Sequence, residues 1–196
     1  MKIFWLLVAS YLIGSIPFSY LVARCWKGID IRNYGSGNVG MTNVWRNAGP
    51  VAGALAWIGD FGKGILVIIL AKQFGDPIVV ATAGLAVLAG HSWPIFLGFK
   101  GGKMVSTFAG VLTAISLPVG LIAASTWTIV VLLTGYASVG SIVAVSIMPF
   151  LILGFKLEWP YLALSTLVAV LVIYKHIPNI KRLASGIEPR IKRKFW

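Results

Sequence analysis

The stretch Gly35-Ser36-Gly37-Asn38-Val39-Gly40-Met41-Thr42-Asn43 holds three glycines, two asparagines, a serine and a threonine, with Arg46 close behind. Glycine lets successive backbone N–H groups converge on an anion. Ser36, Asn38, Thr42 and Asn43 add neutral donors, and Arg46 adds a planar charged fork that suits phosphate. The chemistry on offer is anion binding. The plain alternative, an ordinary turn, leaves the density of donors unexplained.

Three further polar constellations punctuate the chain. Gly101-Gly102 lies between Lys100 and Lys103, immediately before an apolar run that reads as a helix. A helix start offers free N–H groups and a positive dipole end to an anion. It is not a nucleotide-binding phosphate loop of the G-x-x-x-x-G-K-[ST] type, because position 97 is Leu and position 104 is Met. Ser138 and Ser141 stand at the start of another apolar run, where serine is usually a cap. His176, Asn179 and Arg182 are spaced by three and share a helix face if the helix continues past Pro178.

Asp60 and Lys63 lie three apart inside an apolar segment. Such a pair inside a membrane is a functional hypothesis by default, but it reads better as a mutually neutralised pair facing the bundle interior. The polar clusters are poor in carboxylates. No paired carboxylates or metal-ligand spacing are present, and Cys25 is the only cysteine, so no intramolecular disulfide can form. The pattern implies no cofactor, no metal, no nucleic acid and no obligatory protein partner.

The elements that must position these residues are membrane helices. The 196 residues are 58% hydrophobic and 11% charged, with mean hydropathy +0.90, against about 25% charged in a soluble domain. The apolar start runs past Gly14-Ser15-Ile16-Pro17, too far for a signal-peptide core, and predicts a first span kinked near Pro17. Spans are expected at about 3–23, 51–71, 78–98, 138–155 and 159–175. Met104 to Leu133 carries no charge and is too long for one span.

Charge decides its parity. Seventeen basic residues face five acidic ones, a net +12. Arg24, Lys27, Arg32 and Arg46 follow the first span. Lys100 and Lys103 follow the third. Lys175, Lys181, Arg182, Arg190, Lys192, Arg193 and Lys194 follow the last. The positive-inside rule puts all three groups in the cytoplasm, so 104–133 must cross twice, as two short helices turning near Ser116-Leu117-Pro118. The expectation is an all-α polytopic membrane protein, one domain over 1–196, with seven transmembrane helices, two of them short, N-terminus outside and C-terminus cytoplasmic. The basic clusters would meet lipid headgroups or anionic substrates.

The stretches GSGNVGMTNVWRNAGP at 35–50, GHSWPIFLGFKGGK at 90–103 and YKHIPNIKRLASGIE at 174–188 resemble the bacterial integral-membrane acyl-phosphate:glycerol-3-phosphate acyltransferases. ASVGS at 137–141 and YLIGSIPFSYLVAR at 11–24 match more loosely. Position 41 is Met where members often carry Ala. The resemblance covers nearly the whole chain. It implies transfer of a fatty acyl group from acyl phosphate to the 1-hydroxyl of glycerol 3-phosphate, giving 1-acylglycerol 3-phosphate (lysophosphatidic acid) and inorganic phosphate. That is a first step of phospholipid synthesis, at the cytoplasmic side of a bacterial inner membrane.

Carried over by position, the resemblance marks Ser36, Arg46, Lys103, Ser141, His176 and Asn179 as substrate-contacting, and Gly35, Gly37, Asn38 and Thr42 as the acyl-phosphate loop. Asn43, Lys100, Gly101, Gly102 and Arg182 complete the expected binding set. Catalytic roles fall on His176, Lys103 and Ser36. Acyl phosphate has a good leaving group, so no covalent acyl-enzyme is required. Backbone N–H groups around 35–40 and Lys103 would stabilise developing charge, and the hydroxyl proton would pass to His176 or to a substrate phosphate oxygen. A His-x-x-x-x-Asp device is absent, since the fifth position after His91 is Phe96 and after His176 is Lys181. The rival class is a transporter of phosphorylated organic anions, but the polar clusters all fall on one side.

Overall fold

A computed structural model of the chain describes residues 1–191. The basic residues Lys192, Arg193 and Lys194 lie outside the described residues. Among the described residues ten α-helices follow one another: α1 (Lys2–Ser15), α2 (Phe18–Lys27), α3 (Met41–Ala48), α4 (Pro50–Lys72), α5 (Pro77–Ser92), α6 (Val105–Ile115), α7 (Leu117–Thr134), α8 (Ala137–Gly154), α9 (Trp159–Lys175) and α10 (Ile177–Ala184). Proline sits in the first turn of α4, α5, α7, α9 and α10. Its missing N–H costs nothing there and its fixed φ is already helical. Left-handed Gly28 and Gly135 end α2 and α7.

Among the described residues, five helical stretches are long and apolar enough to cross a membrane, or six if α9 and α10, bent by 50°, form one span. Their outer faces carry Leu133, Phe150 and Val170, each more than half exposed, which only lipid would cover without cost.

The first span breaks near Pro17 as expected but runs past its expected end at about 23. It is two helices, α1 and α2, separated at Ile16-Pro17, and together they reach Lys27. The segment after Met104 divides at Ser116, as the sequence predicts, but into unequal parts of 11 and 18 residues. Only α6 is short; α7 is about 27 Å long at 1.5 Å per residue. The inequality follows from where the break falls, since Ser116 lies nearer the start of α6 at Val105 than the end of α7 at Thr134. The chain stays irregular through Gly101-Gly102, and Met104 just before α6 is left-handed (φ 69°).

Helices meet backbone to backbone at glycines. A Cβ on Gly14 would stand 2.2 Å from the Val87 carbonyl oxygen, and one on Gly90 would stand 2.1 Å from that of Tyr11, which locks α1 onto α5. Gly64 and Gly110 do the same for α4 and α6. In an apolar surround such close packing, rather than hydrophobic burial, drives helix association. The result gathers the segments at 35–43, 98–105, 135–141 and 176–191 at one end of the bundle, joined by the contacts described next.

Candidate active site

Four chain segments converge on a small polar cavity of about 60 Å³. Ser36, Asn38, Thr42, Asn43 and Arg46 come from the loop before α3 and from α3 itself. Lys103 comes from the loop before α6, Ser138 and Ser141 from α8, and His176, Asn179 and Glu188 from the C-terminal segment. Lys103 Nζ donates to Asn179 Oδ1. Asn179 Nδ2 donates to Glu188 Oε1 at 2.7 Å, Ser138 Oγ donates to the same oxygen at 2.8 Å, and Arg182 Nε donates to Oε2 at 2.7 Å. Burial works to raise the Glu188 carboxyl, but these hydrogen bonds and the Arg182 charge outweigh it and hold it below its usual range.

Arg46 reaches across from α3 and donates through Nη2 to the Pro189 carbonyl at 2.6 Å. Its Nε is buried without a hydrogen-bond partner. A buried donor of this kind costs free energy until an acceptor meets it. Burial, and then the Arg182 charge, lowers the Lys103 ammonium to about 8. The site therefore holds Arg46, Lys103 and Arg182 against one carboxylate, and Glu188 occupies only Arg182 among them.

His176 stands at the bend between α9 and α10 and is buried. Its Nδ1 lies 2.8 Å from the Val172 carbonyl oxygen. A carbonyl can only accept, so the neutral ring carries its proton on Nδ1 and leaves Nε2 as an acceptor. Burial first, and the Lys103 charge second, depress its pKa to about 4. At neutral pH the ring is uncharged.

A second, larger cavity of about 280 Å³ adjoins the first. Its walls include Leu112, Ala123, Ala124, Val145 and Met148, from α6, α7 and α8. Asn38, Thr42, Lys103, Ser141 and His176 line both cavities. An apolar slot thus opens onto a polar, basic cavity, with five polar residues at the junction. Such a pair of spaces suits one molecule with an apolar tail and another that is small and charged.

The glycerol-3-phosphate acyltransferase family profile matches residues 4–186. The chain belongs to that family. Glycerol-3-phosphate acyltransferase of Desulforamulus reducens is 46% identical over 190 residues, covering 96% of this chain and 95% of the relative. Glycerol-3-phosphate acyltransferase 2 of Moorella thermoacetica is also 46% identical, covering 95% and 97%. Crystal structures of the integral membrane glycerol 3-phosphate acyltransferase PlsY superpose closely. The glycerol 3-phosphate form has a TM-score of 0.94 at 37% identity, covering 98% of this chain and 96% of that one. The lysophosphatidic acid form has a TM-score of 0.91 at 36% identity. Like them, this glycerol-3-phosphate acyltransferase family chain is an integral membrane protein.

Within this family member, Ser36, Asn38, Thr42, Asn43, Arg46, Lys103, Ser141, His176 and Asn179 come together as the sequence predicts. Arg182 acts on the cavity through Glu188. Other expectations need correction. The N–H groups of Ser36, Gly37 and Gly40 are used inside the loop, on Asn43 Oδ1, the Tyr34 carbonyl and the Asn38 carbonyl. A loop dense in amides satisfies itself, and Asn43 organises it by donating to three backbone carbonyls. Gly35 and Gly37 supply left-handed backbone (φ 58° and 68°) rather than cavity wall. The uncapped first turn of α3 supplies free N–H groups at Met41 and Thr42 instead. Gly101 and Gly102 line neither large nor small substrate space, and Lys100 is exposed. Ser138 and Ser141 do not cap α8; Ser138 holds Glu188, and Ser141 donates to Ala137 O while accepting from Trp127 Nε1.

Sequence reasoning missed Glu188 as a site residue. It is one of only five acidic residues in a strongly basic chain, placed two residues after Gly186 among the basic residues of the tail, and that isolation was the signal. The helix does not continue unbroken from His176 past Pro178, as one face required: α9 ends at Lys175, His176 sits at a 50° bend, and only Asn179 and Arg182 lie on α10, so the bend rather than a shared face brings His176 beside Asn179.

Proposed function

We propose that the protein transfers an acyl group from acyl phosphate to the 1-hydroxyl of glycerol 3-phosphate, on the cytoplasmic side of a bacterial inner membrane. The single observation that carries this reading is the junction of the two cavities. The polar space, with the unmet Nε of Arg46 and the Lys103 ammonium, receives a phosphate. The apolar space receives the acyl chain. The relatives' name and the glycerol 3-phosphate and lysophosphatidic acid forms of PlsY support the acceptor and the product.

In this reading the 1-hydroxyl oxygen attacks the acyl carbonyl carbon, the carbon–oxygen bond to phosphate breaks, and inorganic phosphate departs. Lys103, Ser36 and the free N–H groups of Met41 and Thr42 offset the charge that develops. Proximity does much of the rest. His176 Nε2 accepts the hydroxyl hydrogen bond and aims the oxygen. A group with pKa about 4 is a weak base, whereas a phosphate monoanion has a pKa near 6, so the proton ends on a substrate phosphate oxygen.

The topology that fits is one domain over 1–196 with seven crossings, counting α6 as a crossing and α1 with α2 as one, N-terminus outside and C-terminus inside. The basic ends of α2 and α10 then meet the headgroups of the cytoplasmic leaflet.

The test is product formation by purified protein from labelled glycerol 3-phosphate. Palmitoyl phosphate, palmitoyl-CoA and an acyl carrier protein thioester are supplied separately. Lysophosphatidic acid from acyl phosphate alone is the expected result. Product only from a thioester would overturn the donor, and no product at all would return the reading to an anion transporter, checked by uptake into vesicles.

A further inference from the structure

A second buried polar cluster lies behind the site, in contact with the larger cavity, and the reaction above does not use it. Asp60 on α4 forms an ion pair with Lys63 at 3.0 Å and approaches His91 Nδ1 at 3.4 Å; Ser19 Oγ donates to its other oxygen at 2.7 Å. All four side chains are buried. Lys63 Nζ also donates to the carbonyls of Gly14 (2.8 Å) and Ile16 (3.0 Å). Those are carbonyls that the break at Pro17 removes from helical pairing. One lysine therefore stabilises the break in the first span and, through Asp60, ties it to α4 and α5.

The cluster also reaches the loop that carries Lys103. The Gly102 N–H donates to the His91 carbonyl at 3.0 Å, the Gly101 N–H to the Ser92 carbonyl at 3.2 Å, and Ser92 Oγ to the Gly102 carbonyl at 3.2 Å. A Cβ on Gly102 would stand 2.2 Å from His91 Nε2. The imidazole is thus clamped between the Asp60 carboxylate and the backbone just before Lys103. Asp60 and His91 appear in the wall of the same cavity as Lys103 and His176.

We propose that Asp60, with Lys63 and His91, is a positioning group: it fixes the 101–103 backbone so that the Lys103 ammonium points into the anion site. The proposal rests on the acyltransferase reading above. Burying an ion pair gives little net stability compared with an apolar replacement, so stability alone does not account for placing one here. Precise placement of an ammonium does, since a misplacement of about 1 Å can cost about 100-fold in rate.

The test uses two variants of the full chain. Asp60→Asn with Lys63→Met removes both charges together, so no lone charge stays buried. Gly102→Ala pushes on the His91 ring from the loop and leaves the charges paired, and it serves if the first variant fails to fold. Thermal unfolding in detergent establishes folding, and kinetics with palmitoyl phosphate supply kcat, KM and the pH profile. A positioning role predicts a fall in kcat on the order of 100-fold, with KM for glycerol 3-phosphate changed by less than about 3-fold.

It also predicts a moved alkaline limb. Lys103 faces Asn179, Arg182 and Glu188, with Lys175 and His176 nearby. Released from this confinement, it would titrate above its present value of about 8, toward the ordinary lysine value of about 10.4. Folded variants with unchanged kcat, or with reduced kcat and an unmoved alkaline limb, overturn the proposal while leaving the acyltransferase reading intact. An inactive wild-type protein would overturn both.

Discussion

Asn179 Nδ2 lies 2.7 Å from Glu188 Oε1, and this contact turns the amide oxygen of Asn179 toward Lys103. A carboxylate in an anion-binding cavity looks misplaced. Here it is a clamp. It fixes Asn179, Ser138 and Arg182, leaves Lys103 and Arg46 to the anion, and draws the C-terminal segment over the cavity. Arg46 to Pro189 and Ile191 N–H to Gly135 O (2.9 Å) hold that segment down.

Glu188→Ala leaves three buried or half-buried donors without their acceptor. Leaving one buried partner unpaired costs about 1–3 kcal/mol. We expect a loss of stability on the order of 2 kcal/mol, read as a lower unfolding midpoint in detergent, with activity strongly reduced. An unchanged midpoint would mean that the clamp contributes no stability.

Arg46→Lys keeps the charge and removes the planar fork. One arm of the fork is committed to Pro189, so an ammonium cannot hold both that carbonyl and a phosphate in the same geometry. kcat/KM for glycerol 3-phosphate should fall by at least about 10-fold, equivalent to about 1.4 kcal/mol. Wild-type kinetics in this variant would remove Arg46 from the phosphate site.

The pH profile of kcat/KM should have two limbs. Lys103 must be charged to hold an anion, and its pKa is about 8, so activity falls as pH rises through about 8. His176 must be neutral to accept a hydrogen bond at Nε2, and its pKa is about 4, so activity falls as pH drops through about 4. Between the two, the only limb expected is that of the substrate phosphates, at about 6. A limb at about 6 that disappears in His176→Gln would contradict the buried setting of His176, whereas one that persists belongs to the phosphate.

His176→Gln keeps a hydrogen-bond acceptor and lacks a base. If the histidine only aims the hydroxyl, activity should fall by no more than about 100-fold and lose the limb near 4. Complete loss of kcat in a folded protein would restore the histidine as the base.

Ala123 lines the apolar cavity from α7. Ala123→Phe would fill part of its roughly 280 Å³. Palmitoyl phosphate should lose kcat/KM while octanoyl phosphate keeps most of it, compared in one assay. Equal losses for both chain lengths would place the acyl chain elsewhere.

Much of this was legible in the linear chain because the bilayer leaves few options. Backbone groups in lipid must be satisfied within helices, so apolar runs read directly as spans, and prolines at their starts mark the boundaries. The charge-free length of 104–133 and the proline near its middle pointed to a division near Ser116-Leu117-Pro118, and α6 ends there. That Ser36, Asn38, Thr42, Asn43 and Arg46 gather at one polar cavity was legible too, since polar residues at that density in an apolar chain mark a segment that leaves the lipid.

What the sequence could not decide is which donors are free. Whether a loop N–H faces an anion or a neighbouring Asn43 oxygen depends on the fold of that loop, not on its composition. The partnership of residues far apart in the chain was equally hidden. Ser138 and Glu188 are fifty positions apart, and Ser19 and Asp60 forty-one; no periodicity links them. By itself the sequence determined a helical membrane protein with polar, basic loops between its apolar segments, because hydropathy and charge act locally. Only the tertiary structure decided that Glu188 enters the polar cavity, that His91 turns to Asp60, and that an apolar slot meets that cavity, because those depend on how glycine contacts let the helices approach.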